Sequence, residues 1–183
     1  MLAKTIEIAK VQTDADLKAV GQFRYKCYTS EGLIDPQEDK CFLDEYDYAR
    51  NAQIFIVWSA GRIVGTMRLH ILDRDAPDSA TMTAFSDVLM PKIDDGFRLI
   101  DGARFAVEPE LGSMRLGVAR HTLRLYESFA AEQKADFGVA AVQEERIEFY
   151  QRLWGFHQIA APREYGNLNK KLALVGVDLR KGQ

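Results

Sequence analysis

The chain has 183 residues, 47% of them hydrophobic, which is enough for one globular domain with a substantial core over residues 1–183. Its net charge of −3 argues against nucleic acid as a partner, because such proteins usually present a strongly basic face. No run approaches the ~18 apolar residues of a membrane span, and the first residues lack the apolar core of a signal peptide. We therefore expect a cytoplasmic protein without a membrane span.

The first predicted elements are a strand and a helix. Thr5–Val11 alternates polar and apolar residues, which predicts a strand. Thr13 followed by Asp16 is a capping-box pattern, and it predicts a helix that runs to about Tyr28. Arg24 falls on the apolar stripe of this helix. Either a carboxylate of the chain itself or of a substrate pairs with Arg24, or Arg24 lies at the border of the stripe and extends to water.

A long polar segment, Glu31–Tyr48, follows the helix and contains Pro36. Loops of this length usually form lids or substrate walls. Asp44 and Asp47 lie three residues apart, so in a helical turn both would face the same way. They are the predicted partners of Arg24, and the alternative is an acidic loop that only faces water.

Two apolar strands, Gln53–Trp58 and Arg62–Leu72, are predicted on either side of a short turn. Regular alternation puts five residues of the second strand on one face: Ile63, Gly65, Met67, Leu69 and Ile71. Arg68 lies on the other face, among small and apolar residues, where a surface arginine is unusual.

A short helix over Thr81–Leu89 is predicted to bring Phe85 inward and to end at Pro91. The elements after the next strand are predicted in this order: helix Leu116–Ala135, strand Asp136–Val142, helix Glu144–Trp154 stopped at Gly155, and strands Phe156–Ala160 and Lys170–Leu179.

The third core strand, Arg98–Val107, carries both an acid and a base. In a regular strand Asp101 and Arg104 would point to opposite faces. A bulge near Gly102 would bring them to the same side, and an isolated glycine inside a strand indicates one.

The segment after Val107 combines a break at Pro109, a glycine-containing loop and a helix start. Free N–H groups and the helix dipole favour an anion at such a place. Arg115, Arg120 and Arg124 crowd the same end, although cations oppose the dipole and Arg120 repels Arg124. Either these arginines form a solvated face, or they dock a phosphate-bearing, acidic partner.

Common catalytic constellations are missing from the sequence. Cys27 and Cys41 form no CxxC pair, so we expect free thiols and no metal site. No histidine adjoins a nucleophile motif, and there is no dinucleotide-binding or P-loop glycine pattern. An anion-binding loop beside acid–arginine pairs suits an enzyme that binds a phosphopantetheine thioester and presents an amine to it. Such an enzyme positions the amine, removes its proton and stabilises the oxyanion without a covalent intermediate.

The C-terminal half resembles the Gcn5-related N-acyltransferase fold. Its last helix ends with Phe149-Tyr150 and is followed by Gly155-Phe156, as in the signature of that fold. The resemblance implies an α/β three-layer architecture, with a mixed central sheet of about seven strands flanked by helices. Arg115–Ala119 is an imperfect version of the fold's pyrophosphate loop, one residue short between the arginine and the glycine. That departure weakens the case for coenzyme A as the donor.

The N-terminal half is similar to a narrower branch, the acyl-homoserine-lactone synthases and the long-chain N-acyl amino acid synthases. Seven segments follow in the order of these families: Arg24, Tyr28, Asp44, Asp47, Gly65–Leu69, Phe85 and Asp101–Phe105. Both groups take a fatty acyl chain from acyl-carrier protein.

This resemblance also implies the functional residues. Four would bind the amine substrate: Arg24, Tyr28, Asp44 and Asp47. A fifth substrate residue, Phe85, would line the acyl side. Three would be catalytic: Asp101, Arg68 and Arg104. Asp101 replaces a family glutamate that assists deprotonation of the amine, and its shorter side chain favours a relayed water. Together with the basic helix start described above, eight residues are predicted to contact the acyl-carrier protein or its phosphopantetheine arm: Phe105, Val107, Arg115, Gly117, Ala119, Arg120, Arg124 and Tyr150.

These similarities predict an N-acyltransferase that moves a long-chain acyl group from acyl-carrier protein to the amine of an amino acid, with no tightly bound cofactor. The lactone synthases usually carry a Gly-Trp pair where this chain has Gly32-Leu33-Ile34, and the turn Arg163–Asn167 looks closer to the N-acyl amino acid synthases. Three alternatives stay open: a lactone synthase that uses S-adenosylmethionine, a generic acyl-CoA N-acetyltransferase, and a catalytically silent domain that binds acyl chains or a partner.

Overall fold

A computed structural model describes residues 5–180; the two ends of the predicted domain, residues 1–4 and 181–183, lie outside the described part. The described chain contains seven strands and four α-helices: β1 (Ile6–Lys10), α1 (Asp14–Ser30), β2 (Ala52–Ser59), β3 (Arg62–Leu72), α2 (Ala80–Asp94), β4 (Leu99–Val107), α3 (Arg115–Glu132), β5 (Phe137–Val142), α4 (Ile147–Trp154), β6 (His157–Arg163) and β7 (Leu172–Asp178). Three short 3₁₀ helices lie between them: Glu45–Tyr48, Pro109–Met114 and Glu144–Arg146.

The strands form one mixed sheet in the order β1-β2-β3-β4-β5-β7-β6. β4 and β5 pair in parallel, and the other neighbouring strands pair antiparallel. Side chains of α1 and α2 pack on one face of the sheet, and those of α3 and α4 pack on the other. The predicted three-layer α/β architecture with about seven strands is confirmed.

The sheet opens between β4 and β5. Their pairing covers only the first four residues of each strand and ends where Gly102 meets Ala140. Near that point Arg104 has a left-handed backbone, with φ +52°, and two residues of β4 oppose Met67 of β3. Such a bulge bends a strand and increases its twist. The second half of β4 therefore leaves β5, and a gap opens in the middle of the sheet.

The predicted bulge exists, but it lies at Arg104 and not at Gly102. The glycine has a different purpose, because a Cβ there would lie 2.8 Å from the ring of Tyr126. Gly102 thus lets α3 approach the sheet, and the bulge at Arg104 turns this arginine to the side of Asp101.

The helices follow their sequence patterns closely. Asp16 N–H donates to Thr13 Oγ1 at 3.1 Å and Thr13 N–H donates to Asp16 Oδ2 at 3.1 Å, so the capping box is confirmed. The predicted stripe of α3 is also confirmed, since all four of its residues are buried: Ala119, Leu123, Tyr126 and Ala130. Burial of each large apolar side chain contributes about 1.5–3 kcal/mol. Gly155 ends α4 in the left-handed conformation, with φ +67°.

Two expectations about these elements were wrong. α2 does not end at Pro91 but continues to Asp94, because Leu89 and Ile93 are buried on either side of the proline and hold the helix on the sheet. In β3, a bulge opposite Val57 and Trp58 breaks the alternation, so that Ile63 packs toward α1 whereas Met67 packs toward α3.

Candidate active site

The deepest part of the site is an ion pair between α1 and the loop that follows it. Arg24 Nη1 lies 2.8 Å from Asp47 Oδ1, and both side chains are fully buried. Arg68 Nη1 lies 2.8 Å from the same oxygen. The prediction of an internal carboxylate for Arg24 is confirmed, and the alternative of a border arginine is wrong. Removing one partner from such a buried pair costs about 3–5 kcal/mol, because the other charge stays buried.

Asp44 joins Arg68 of β3 to Arg104 of β4. Arg68 Nη1 lies 2.5 Å from Asp44 Oδ1, and Arg104 Nη2 lies 2.5 Å from Asp44 Oδ2. Burial opposes ionisation of Asp44, but hydrogen bonds from Arg68 and the charge of Arg104 hold its pKa well below the usual range. The interpretation of this loop as a purely solvated acidic segment is wrong.

The local sequence orients both carboxylates. Asp44 caps the 3₁₀ helix Glu45–Tyr48, with its Oδ1 accepting from the N–H of Tyr46 at 3.0 Å. Asp47 Oδ2 in turn accepts from the N–H of Asp44 at 2.9 Å. Because each carboxylate is fixed by the turn that it caps, its remaining lone pairs point at the arginines.

We call these five residues the charged wall: Arg24, Arg68, Arg104, Asp44 and Asp47. The wall carries three positive and two negative charges, so one positive charge is not balanced within it. Arg104 stands at the end of the series of ion pairs and beside the gap in the sheet. An anionic group that enters this gap meets the unbalanced charge at Arg104.

A cavity of about 70 Å³, the inner cavity, fills the gap between β4 and β5. Its polar lining includes Arg104, Tyr28, Tyr165 and Gln143. The other four members of the charged wall do not line it in the described part of the chain. The structure therefore brings the predicted substrate residues together, with Tyr28 and Arg104 at the cavity surface and the rest behind Arg104.

A larger cavity of about 640 Å³, the outer groove, runs from the inner cavity towards α3 and α4. Six predicted residues line it: Tyr28, Phe105, Val107, Arg115, Ala119 and Tyr150. Tyr28, Phe105 and Tyr150 also line the inner cavity, so the two spaces share a wall. A molecule lying in the outer groove thus reaches the inner cavity at Phe105.

Three residues predicted to contact the donor lie outside the outer groove. Gly117 is exposed, and a Cβ there would meet nothing within 4 Å. Arg120 lines a separate surface depression next to the groove, and Arg124 is exposed one turn further along α3. These residues are spaced three and four apart and share one face of α3, and that face does not line the outer groove. Their contact with a carrier protein stays a prediction.

The rim of the outer groove carries two arginines that share one carboxylate. Arg115 Nη2 lies 2.8 Å from Glu31 Oε1, and Arg146 Nη2 lies 3.1 Å from Glu31 Oε2. These three side chains come from the end of α1, the start of α3 and the segment before α4. The arrangement gathers two positive charges at the mouth of the groove.

Asp101 is fully buried and does not line either cavity. Thr81 Oγ1 donates to Asp101 Oδ1 at 2.8 Å, and the hydroxyl of Tyr165 lies 2.9 Å from Thr81 Oγ1. Asp101 Oδ2 has no hydrogen-bond partner in the described residues. Burial raises the pKa of Asp101 above its usual range, against the hydroxyls of Ser79 and Thr81 and the charges of Arg68 and Arg104.

Phe85 is in the core and does not line the cavities described here. It is fully buried at the kink of α2, where its own backbone leaves the helical conformation, and the Arg163 guanidinium lies 5.0 Å from its ring centre. The prediction that Phe85 lines the acyl side does not agree with this position. Phe85 packs in one buried cluster with Leu89 of α2 and with Leu172 and Leu174 of β7.

Sequence reasoning missed four polar residues of the site: Glu31, Thr81, Arg146 and Tyr165. Each meets its partner over a long separation, as Thr81 and Tyr165 do over 84 residues. The turn around Tyr165 was singled out only through the family resemblance, and nothing local in the sequence indicates its hydroxyl partner.

Within residues 5–180 no group of three or more His, Cys, Asp or Glu side chains is arranged to hold a metal ion. None of the helices in that range is both long enough and apolar enough to cross a bilayer.

The split sheet, with a groove that leads to its opening, defines an acyltransferase of the Gcn5-related type. The family model of the N-acyl amino acid synthase FeeM matches residues 19–178, and the chain belongs to this family. No curated protein sequence matches this one.

Solved structures agree with the fold. FeeM, an N-acyl amino acid synthase from uncultured soil microbes, is 16% identical with a TM-score of 0.80, covering 98% of this chain and 93% of that one. The AHL synthase LasI is 16% identical with a TM-score of 0.67, covering 94% and 89%. BjaI, a CoA-dependent acyl-homoserine lactone synthase solved with SAM and isopentyl-CoA, is 16% identical with a TM-score of 0.65, covering 97% and 85%.

Proposed function

We propose that this protein transfers a long-chain fatty acyl group from acyl-carrier protein to the amine of an amino acid and releases an N-acyl amino acid. The observation that carries the proposal is the pair of joined spaces: an open groove that ends at a small cavity lined by Arg104, the last of three buried arginines that share two carboxylates. The chain belongs to the FeeM family, and the structurally similar FeeM is an N-acyl amino acid synthase; both findings support an N-acyl amino acid as the product.

The outer groove suits the phosphopantetheine arm of the donor. Its floor is apolar, with Phe105, Val107 and Ala119, and its rim carries Arg115 and Arg146. An extended arm could lie along the floor while its phosphate meets the two arginines, which offer geometry suited to phosphate oxygens. Beyond Gly102 the edge of β4 towards β5 has no strand partner in the described chain, so its backbone groups are free to bind the arm and the thioester oxygen.

The first carbons of the acyl chain would enter an apolar space on the far side of Phe105 and Tyr150. A cavity of about 60 Å³ lies there, lined largely by aromatic and aliphatic side chains of α3, α4 and the sheet. Phe105 and Tyr150 separate it from the outer groove, so the chain would pass between them. This assignment replaces the one made for Phe85.

The inner cavity suits the amino acid. Its carboxylate would pair with Arg104, which balances the remaining positive charge of the charged wall. A carboxylate held there keeps the amine in the inner cavity, beside the thioester carbonyl at the end of the arm. Positioning of this kind supplies much of the rate enhancement of a direct acyl transfer. The amine attacks the carbonyl carbon, the carbon–sulfur bond breaks, and the pantetheine thiol leaves.

A product assay tests the proposal. Purified protein is incubated with an equimolar mixture of amino acids and a long-chain acyl-carrier protein (dodecanoyl to hexadecanoyl), and the products are read by mass spectrometry. We expect masses of N-acyl amino acids together with free carrier thiol. Parallel arms contain acyl-CoA of the same chain length, or S-adenosylmethionine in place of the amino acids.

Each alternative has its own outcome. An N-acyl homoserine lactone formed only in the S-adenosylmethionine arm would contradict the proposed acceptor, and products formed only from acyl-CoA would contradict the proposed donor. Acyl-carrier binding without product in any arm would indicate the catalytically silent domain.

A further inference from the structure

The proposed base, Asp101, is walled off from the space where the amine would react. Its carboxylate is fully buried and does not belong to the described walls of the inner cavity or outer groove. Two hydroxyls bridge the distance. Tyr165 lines the inner cavity, its hydroxyl lies 2.9 Å from Thr81 Oγ1, and Thr81 Oγ1 lies 2.8 Å from Asp101 Oδ1.

We propose that Tyr165 and Thr81 form a proton relay that carries the proton of the substrate amine from the inner cavity to Asp101. The proposal rests on the proposed function in one respect, namely that the acceptor is an amine. It assigns the contact with the substrate amine to Tyr165, a role that no local sequence pattern indicated. It makes Asp101 the final proton acceptor.

The relay moves one proton and leaves both hydroxyls unchanged. The ammonium N–H of the substrate donates to the Tyr165 oxygen, while the Tyr165 proton passes to Thr81 Oγ1. The Thr81 proton passes to Asp101 Oδ1, which becomes a neutral carboxylic acid. The neutral amine then attacks the thioester carbonyl. As the carbon–sulfur bond breaks, the second proton of the attacking amine passes to the leaving sulfur, so that the amide and the thiol are both neutral. The proton held by Asp101 then returns through the same hydroxyls to water in the cavity, and Asp101 is ionised again for the next turnover.

The hydroxyl of Thr81 is not needed for the local structure of α2. Ser79 caps this helix, with its Oγ accepting from the N–H of Met82 at 3.0 Å. Thr81 is free to donate to Asp101 instead. Asp101 is fully buried and makes no ion pair in the described chain, so only the hydroxyls of Ser79 and Thr81 and the more distant charges of Arg68 and Arg104 favour its ionised form.

The surroundings hold the relay in place. The turn that carries Tyr165 has Gly166 in the left-handed conformation, with φ +53°, and a Cβ there would lie 3.4 Å from Arg104 Nη2. The Arg104 guanidinium lies 6.0 Å from the centre of the Tyr165 ring. The residue proposed to bind the substrate carboxylate therefore packs against the residue proposed to take the amine proton. Burial raises the pKa of Asp101, which makes it a better final acceptor than an exposed aspartate.

The test compares Thr81→Val, Thr81→Ser and Tyr165→Phe with two nucleophiles. One nucleophile is the amino acid found in the product assay; the other is aminooxyacetate, which carries a carboxylate and an amine that is already neutral at pH 7. With the amino acid, Thr81→Val and Tyr165→Phe should lose about 10²-fold in kcat, with little change in KM. With aminooxyacetate the loss should be within a few-fold, and Thr81→Ser should stay near wild type with both. The amino-acid activity of Tyr165→Phe should recover as the pH rises and the free amine loses its proton.

Several outcomes would overturn the relay. The relay is contradicted if Tyr165→Phe loses kcat equally with both nucleophiles. It is also contradicted if Thr81→Val is as active as wild type. Thr81→Ser serves as the folding control for Thr81→Val, and Tyr165→Phe tests the relay if Thr81→Val does not fold. A wild-type protein with no amine acylation in any arm contradicts the proposed function itself, whereas an active wild type with unaffected variants contradicts only the relay.

Discussion

His70 is a buried neighbour of the charged wall that titrates in an accessible pH range. Its Nε2 lies 3.2 Å from the carbonyl oxygen of Tyr46, so the neutral ring donates from that nitrogen. Burial and, second to it, the charge of Arg68 lower the pKa of His70 to about 4, against opposing contributions from the Tyr46 carbonyl, Asp44 and Asp47. The native state therefore holds His70 neutral at pH values where the unfolded chain protonates it.

Acid should destabilise the protein through His70 before Asp44 and Asp47 titrate, because the arginines hold the pKa of both carboxyls below the usual range. Its stabilising contribution is complete above the ordinary histidine pKa of about 6.5 and is lost as the pH falls through the folded pKa of about 4. The loss amounts to about 3 kcal/mol, from 1.36 kcal/mol per pKa unit. Chemical denaturation between pH 7 and 4 measures it. His70→Gln keeps a donor for Tyr46 and should show a smaller decline in unfolding free energy; a decline parallel to that of wild type would contradict this.

Individual residues of the charged wall were predictable because each violates a pattern. Arg24 lies on an apolar helical stripe and Arg68 lies in an apolar strand, and both must therefore find carboxylates. The position of Arg104 was not predictable in the same way. A left-handed backbone at an arginine has no local sequence signal, and the bulge was expected at the neighbouring glycine instead.

At the scale of elements, two glycines make room for one tyrosine. A Cβ on Gly102 would lie 2.8 Å from the Tyr126 ring, and one on Gly138 would lie 2.5 Å from the Tyr126 hydroxyl oxygen. That hydroxyl lies 3.0 Å from the carbonyl oxygen of Ile100 and 3.2 Å from that of Val139, and it shares its proton between β4 and β5. α3 thus ties the two strands together just below the point where they separate.

Gly102→Ala should push Tyr126 out of this position. We expect a loss of about 1–3 kcal/mol in unfolding free energy, the usual cost of overpacking. Gly117→Ala is the matched control, since its Cβ meets nothing within 4 Å and alanine favours the helix by about 0.5–1 kcal/mol. Thermal and denaturant unfolding compare the two variants. Equal stability changes in both would mean that the close approach of Tyr126 to β4 has no energetic weight.

Periodicity predicted the helices and most strands within a few residues, because apolar faces repeat at helical or strand spacing over several turns. It failed where tertiary contacts override local preference. Pro91 inside α2 lacks an N–H and costs about 3 kcal/mol in an isolated helix, but the buried residues on both sides keep α2 on the sheet. The bulge in β3 was equally invisible, since an extra residue leaves no mark on composition.

At the scale of the whole molecule, the net charge of −3 is spread over a surface of mixed charge beside the groove, where Arg120 and Arg152 line a depression together with Glu145 and Glu148. Arg120 lies in a surface depression with exposed Leu116 and with Phe149, and both of these also line the outer groove. An acidic carrier protein that delivers its arm to the groove would lie against this surface.

Arg120→Glu should raise KM for the acyl-carrier protein about threefold to tenfold and weaken its dependence on salt, because an attractive charge becomes repulsive. Arg124→Glu makes the same charge change one turn further from the groove and should have the smaller effect. Steady-state kinetics at low and moderate ionic strength distinguish the two variants. Unchanged kinetics in Arg120→Glu would exclude this surface as the docking site.

The sharing of one tyrosine proton between β4 and β5 has a consequence for how the enzyme meets its donor. The Tyr126 hydroxyl holds β4 and β5 together next to the point where they separate, so the gap between the strands exists before a thioester binds. A phosphopantetheine arm that enters a preformed gap loses little binding free energy, because the protein does not have to rearrange. Turnover would then be limited by delivery of the carrier or departure of the lipid product, and not by opening of the sheet.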